Sequence, residues 1–263
     1  MTAVVLTKYA AFSRISVVLA SRERGELYGR VAFFAVILGV FSSLWHAVAE
    51  AGMPVAADPK ALVWYLAATE WIVLSAPSIH LDIQDAIRRG DVVYRLGQPA
   101  SYLLAEFAAS LGLLAVRAPL LGVTGFVCAL AFTGSVPPLQ ALAILVPFAL
   151  LAAALMTALY LSIGLLAFWL QDVSPVYWVW QKLMFVLGGL MLPLQLYPEF
   201  VQRIAAFTPF PVLLSGPASF VLPVASVSPA TLARDFVIWS SATALIVRWI
   251  FARATRALTV NGG

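Results

Sequence analysis

Glu70 stands near the middle of the apolar run ALVWYLAATEWIVLSAPSI, residues 61–79. A carboxyl group in such surroundings must be protonated, paired with a donor, or wetted. Two chemistries suit it: a hydrogen bond between helices, or a station on a path for protons or cargo. A second concentration of polar chemistry follows at once in HLDIQDAIRRGDVVYRLGQPAS, residues 80–101, where Asp82, Asp85, Asp91, Arg88, Arg89 and Arg95 crowd into a chain that is only 11% charged. Read as a helix, 81–89 sets Ile83 and Ile87 on one face, with Asp82, Asp85, Arg88 and Arg89 mostly around the others. Gly90 suits its end, a short turn runs from Asp91 to Gly97, and Pro99 suits the start of the next helix. Such an element fits a groove on a soluble partner. A solvated loop whose charges only set topology accounts for the arginines, but not for the acids or the Gly and Pro punctuation.

Other chemistries are excluded. None of Lys8, Lys60 and Lys182 follows a glycine, so the chain has no phosphate-cradling Gly-x-x-x-x-Gly-Lys loop. His46 and His80 fall at predicted helix ends on opposite sides of the membrane and form no metal pair. Cys128, the single cysteine, lies inside an apolar run and supports neither an internal disulfide nor a cysteine metal site. Ser215, in LSGPAS, has no identifiable base beside it. No catalytic residue, no metal site and no bound cofactor are expected of this chain.

Those residues need elements to hold them. Of 263 residues, 62% are hydrophobic, whereas a soluble domain averages ~45–50%. The excess must face lipid, and the net charge of +4 then reads as loop charge beside a membrane rather than as a nucleic-acid surface. A hydrocarbon core of ~30 Å takes about 20 helical residues. Six runs qualify: Val31–Ala49, Ala61–Ile79, Leu111–Phe132, Pro147–Leu170, Val176–Leu194 and Phe236–Phe251. Ser174 and Pro175 suit the start of the fifth.

Lys8, Arg14, Arg22, Arg24, Arg30, Arg88, Arg89, Arg95, Arg253 and Arg256 gather on one side of this arrangement, against Lys60, Arg203 and Arg234 on the other. Both termini and the 80–101 loop are therefore expected in the cytoplasm. Before the first span, Val5, Tyr9, Phe12 and Leu19 share a helical face that Ser16 interrupts. That pattern reads either as a helix on the inner membrane surface or as a basic flank. Arg117, Lys182 and Arg248 fall near the cytoplasmic ends of their spans and are expected to snorkel. Trp45, Trp64, Tyr65, Trp169, Tyr177, Trp178, Tyr197 and Trp249 read as an interfacial belt. LPLQLYPEFVQRIAAFTPFPVLLSGP, Leu192 to Pro217, carries five prolines and pieces too short to cross. It reads as re-entrant or interfacial half-helices, one opened by Pro198 with Phe200, Ile204 and Phe207 on one side. Broken backbone at that depth must be covered by protein. No repeat or linker divides residues 1–263: residues 1–30 form an interfacial segment and 31–253 a six-span region.

DAIRRGDVVYRLGQPAS resembles the loop between spans two and three of permeases of the type-2 ABC exporter family, with Arg88, Gly90, Val92, Leu96, Pro99 and Ser101 at the matching positions. LGGLMLPLQLYPEFVQRIAAFTPFPVLLSGP is similar to that family's segment after span five, through Gly189, Pro193, Pro198, Pro209 and Phe210. A glutamate common before the glycine in many relatives is absent; Arg88 and Arg89 stand there. The resemblance is to the small six-span subgroup without a large extracellular domain. It implies an all-α permease in the bacterial plasma membrane that exports a lipid, glycan or other amphiphile. Its partners would be two copies of a cytoplasmic ATPase carrying ATP and Mg, and a second permease, identical or homologous, within membrane lipid. Ile83, Asp85, Ile87, Arg88, Arg89, Gly90, Leu96 and Pro99 would form the element that couples to the ATPase. Glu70 would lie on the translocation path, and Gly189, Pro193, Pro198 and Pro209 in the outer re-entrant segment. The competing reading is a proton-coupled secondary transporter working through Glu70.

Overall fold

The computed structural model describes residues 2–22, 24–52, 58–98, 100–223, 225 and 227–261, with side chains from 7 to 256. In chain order the helices are α1 (Thr2–Ala20), α2 (Arg24–Glu50), α3 (Pro59–Ser75), α4 (Ile79–Arg88), α5 (Asp91–Leu96), α6 (Tyr102–Thr133) and α7 (Leu139–Leu165). They continue with α8 (Ser174–Leu187), α9 (Glu199–Ala206), α10 (Phe210–Leu213), α11 (Ser215–Ala218) and α12 (Pro229–Asn261). There is no strand among the described residues. Among the described residues five segments are long and apolar enough to cross a membrane: α2, α3 with α4, α6, α7 with the turn after it, and α12. They outrun the expected spans, because hydropathy marks only the lipid-immersed part of a helix and the backbone stays helical into the headgroups. α3 is the buried centre, held between α2, α6 and α7.

The expected fifth span, 176–194, is shorter than its hydropathy suggests. α8 has 14 residues, so it rises only about 21 Å against a core of ~30 Å. It ends at Gly188, and Gly189 turns the chain at φ +67°. A Cβ at Gly189 would lie 2.8 Å from the Leu192 carbonyl and 3.1 Å from Tyr65 Oη, so only glycine fits this bend. The carbonyls freed there are not orphaned. Tyr65 donates to Gly189 O at 2.5 Å, Thr69 donates to Leu190 O at 2.7 Å, and Ser215 N–H donates to Gly188 O at 3.1 Å. Tyr65 is thus a fully buried donor inside the bundle rather than part of an interfacial belt, and Trp64 likewise donates to Thr133 Oγ1 and Ser135 O. Pro193, Pro198 and Pro209 stand immediately before short helical pieces. Of those pieces α10 and α11 are buried, while α9 turns Phe200, Ile204 and Phe207 outward.

α1 packs along α6 with a face different from the expected one. Tyr9, Phe12, Ser13, Ser16, Val17 and Ala20 turn inward and Leu19 is exposed; the side chain of Val5 lies outside the described residues. Ser13 donates to Ala108 O at 2.6 Å, and the Ser101 N–H donates to Tyr9 Oη at 3.1 Å. A Cβ on Gly112 would sit 2.2 Å from Ser13 O. So close a crossing favours small and hydroxylic side chains, and Ser16 belongs to the contact face instead of breaking it. Arg117 does not snorkel. Its side chain is 5% exposed and meets Glu26 at 2.5 Å; Glu26 also holds Arg30, which donates to Leu74 O. This cluster joins α2, α3 and α6.

Candidate functional site

The charged stretch folds as an elbow. α4 stops at Arg88, Gly90 takes φ +77° where a side chain would be strained, and α5 departs from Asp91. Ile83 and Val92 are buried, and Ile87 and Leu96 pack on the core, so the apolar face of the elbow is covered by its own chain. Asp85, Arg89, Gly90 and Asp91 are exposed, as are Val93 at 64% and Tyr94 at 77%. Pro99 lies outside the described residues.

Three contacts bolt the buried side of the elbow to α7 and α8. The first is steric: a Cβ on Gly164 would lie 2.9 Å from His80 Cα and 3.0 Å from Ile83 Cβ, so α4 and α7 touch with almost no side chain between them. The second is aromatic, with the His80 ring stacked on Tyr177 at 4.0 Å between centroids and edge-on to Tyr160 at 5.4 Å. The third is polar. Buried Gln84 accepts from the Val173 N–H at 2.7 Å, Arg88 donates to Gln171 O at 2.6 Å, and Arg88 stands 4.0 Å from Asp172.

Ser174 begins α8 but does not cap it. Asp172 accepts from both the Ser174 N–H and hydroxyl, and these bonds, with the Arg88 guanidinium beyond them, hold its carboxyl below the usual aspartate range. Pro175 takes the first turn as its fixed φ allows. The same linker exposes Trp169 and Leu170 beside Arg88. On the other flank Arg95 meets Glu106 at 2.5 Å, tying α5 to α6.

A helical elbow with a buried apolar face, a glycine hinge and an exposed rim of mixed charge and aromatics can take a load from outside and hand it to α6, α7 and α8. A model of the family described as ABC-2 family transporter protein matches residues 68–262 of the chain. The chain belongs to that family. It is a multi-pass ABC-2 permease, the membrane component of a transporter, and its family implies association with an ABC ATPase. A search of curated proteins returns no match.

The permease's other sequence-flagged residues separate by place. Glu70 is buried at 3% exposure, next in the chain to Thr69, which bonds the re-entrant bend, and has no hydrogen-bond or ion-pair partner among the described residues. It stands more than two turns of helix from the elbow. Gly189, Pro193, Pro198 and Pro209 belong to the opposite, re-entrant region. Among the described residues no three His, Cys, Asp or Glu side chains converge as a metal would require. The outward residues of the elbow, Val93 and Tyr94, are not among the matching positions of the motif. Their signal was chemical: two large apolar groups next to a glycine hinge in a stretch otherwise charged.

Proposed function

We propose that this permease is half of an ATP-driven exporter of amphiphiles and that the α4–α5 elbow is its docking and coupling element for a cytoplasmic ATPase. Two such ATPase subunits, carrying ATP and Mg, serve a pair of permeases in the bacterial plasma membrane, with both termini in the cytoplasm. The observation that carries this reading is the two-sided elbow: Val93, Tyr94 and Arg89 outward, Ile83, Gln84 and His80 locked inward. Trp169 and Leu170 widen the outward rim. Closure of the ATPase pair presses the rim, and the locked face passes the displacement to α3, α7 and α8. Because α8 bends at Gly189 against Tyr65 and Thr69, its movement arrives beside Glu70, which we place on the translocation path.

The test is retention of the ATPase by the tagged permease. Val93→Glu with Tyr94→Ala removes the apolar centre of the rim and should lower retained ATPase at least tenfold, as loss of two interface anchors does at ~1–2 kcal/mol or more each. Unchanged retention with an intact fold overturns the docking surface. Glu70's buried, unpartnered carboxyl is what favours the proton-coupled reading. That reading requires transport by the permease alone, driven by a pH gradient and abolished in Glu70→Gln.

A further inference from the structure

A groove of about 760 Å³ lies between the start of α6, α7 and α12. Phe148 stacks on Phe236 at 5.7 Å near one end, and Tyr102 stacks on Phe251 at 5.9 Å near the other, so the groove runs along α12 toward the end of the bundle that carries the elbow. Small residues keep it open: Ala154 and Ala158 on α7 face Ala233, Ser240 and Ala244 on α12. From Ala233 to Arg248 it follows α12 for about 22 Å, somewhat more than one leaflet of a ~30 Å core. No acidic side chain lines it.

Its one cationic lining residue, Arg248, is exposed and has no hydrogen-bond or ion-pair partner among the described residues. The next turn places Arg253 over the Trp249 ring at 4.9 Å, the pairing of an interfacial aromatic with a lifted cation. Arg248 therefore sits where an apolar channel meets the headgroup layer. Such a channel in a bilayer is filled by acyl chain or by another helix, and the charge decides between them. A long apolar body ending in a negative charge is complementary to this groove along its length and at its end.

We propose that the α6–α7–α12 groove is a binding site for one anionic phospholipid, its acyl chain against Ala154, Ala158 and Ala244 and its phosphate on Arg248. No residue of α3 or α8 is among those lining it, which assigns its occupant as a resident lipid rather than cargo in transit. The contact is charge-specific at the head and shape-specific along the chain.

The experiment is native mass spectrometry of the full-length permease in mild detergent, titrated with phosphatidylglycerol and phosphatidylcholine of equal chain length. The wild type should bind the first about five- to tenfold more tightly, as one interfacial arginine confers. Arg248→Gln should bring the two within about twofold, and Arg248→Lys should keep the preference. Arg248 is exposed, so neither change threatens folding. Ala244→Trp should weaken both lipids together. An Arg248→Gln protein that keeps the full preference overturns the proposal. So does efficient disulfide crosslinking of Ala244→Cys between two permeases in native membranes, which would assign the groove to a second copy.

Discussion

At the scale of single residues the permease depends on places where side chains are absent or inward. Gly164 permits α4 to lie directly on α7, and nothing larger fits between His80 and Ile83. Gly164→Leu should hold α4 off by a side chain's width and cost about 1–3 kcal/mol by overpacking. Membrane insertion should survive, since leucine leaves the α7 span as apolar as before. The expected signature is an ATPase that still binds but whose hydrolysis no longer responds to cargo; normal cargo response would show that this contact does not carry the load. Arg117 marks the limit of reading residues singly. Its distance from a span end suggested snorkelling, whereas Glu26, ninety-one residues earlier in the chain, keeps it buried.

At the scale of elements, the long apolar runs were legible because burial in lipid leaves a one-dimensional record. The end of α8 was not. Leu187, Leu190, Met191 and Leu192 continue the apolar run across the Gly188–Gly189 bend, and the donors that permit the bend, Tyr65 and Thr69, come from α3. Likewise the Ile83 and Ile87 face was visible, but amphipathicity cannot say whether an apolar face meets a partner or its own chain. At the start of α8 the structure adds a titratable joint. Asp172 has a depressed pKa, so its hydrogen bonds to Ser174 contribute fully above the ordinary aspartate pKa and are lost as pH falls through the lower folded value. Amide exchange at Ser174, corrected for intrinsic rate, should accelerate only in that acidic window. Asp172→Asn should flatten the step; a step that persists in the variant assigns it to another group.

For the whole molecule, the question is whether docking and coupling are one function or two, and the adjacent arginines divide it. Arg89 points outward, paired with Asp91, while Arg88 is committed to Gln171 and Asp172 in the α7–α8 linker. Charge reversal at Arg89 puts a carboxylate on the exposed rim and should weaken ATPase association, more so at low salt, where surface charges act over longer distances. Reversal at Arg88 puts a carboxylate opposite the Gln171 carbonyl and Asp172. It should free the linker from the elbow while leaving the rim's Val93 and Tyr94 in place. The two variants should therefore split. Arg89→Glu should release ATPase from the purified complex, and Arg88→Glu should retain it yet lose the stimulation of hydrolysis by cargo. Measured side by side in reconstituted vesicles, two identical losses of ATPase would mean that rim and linker form a single docking surface. Only the split makes α4 a lever, with its load on one side and its fulcrum against α7 on the other.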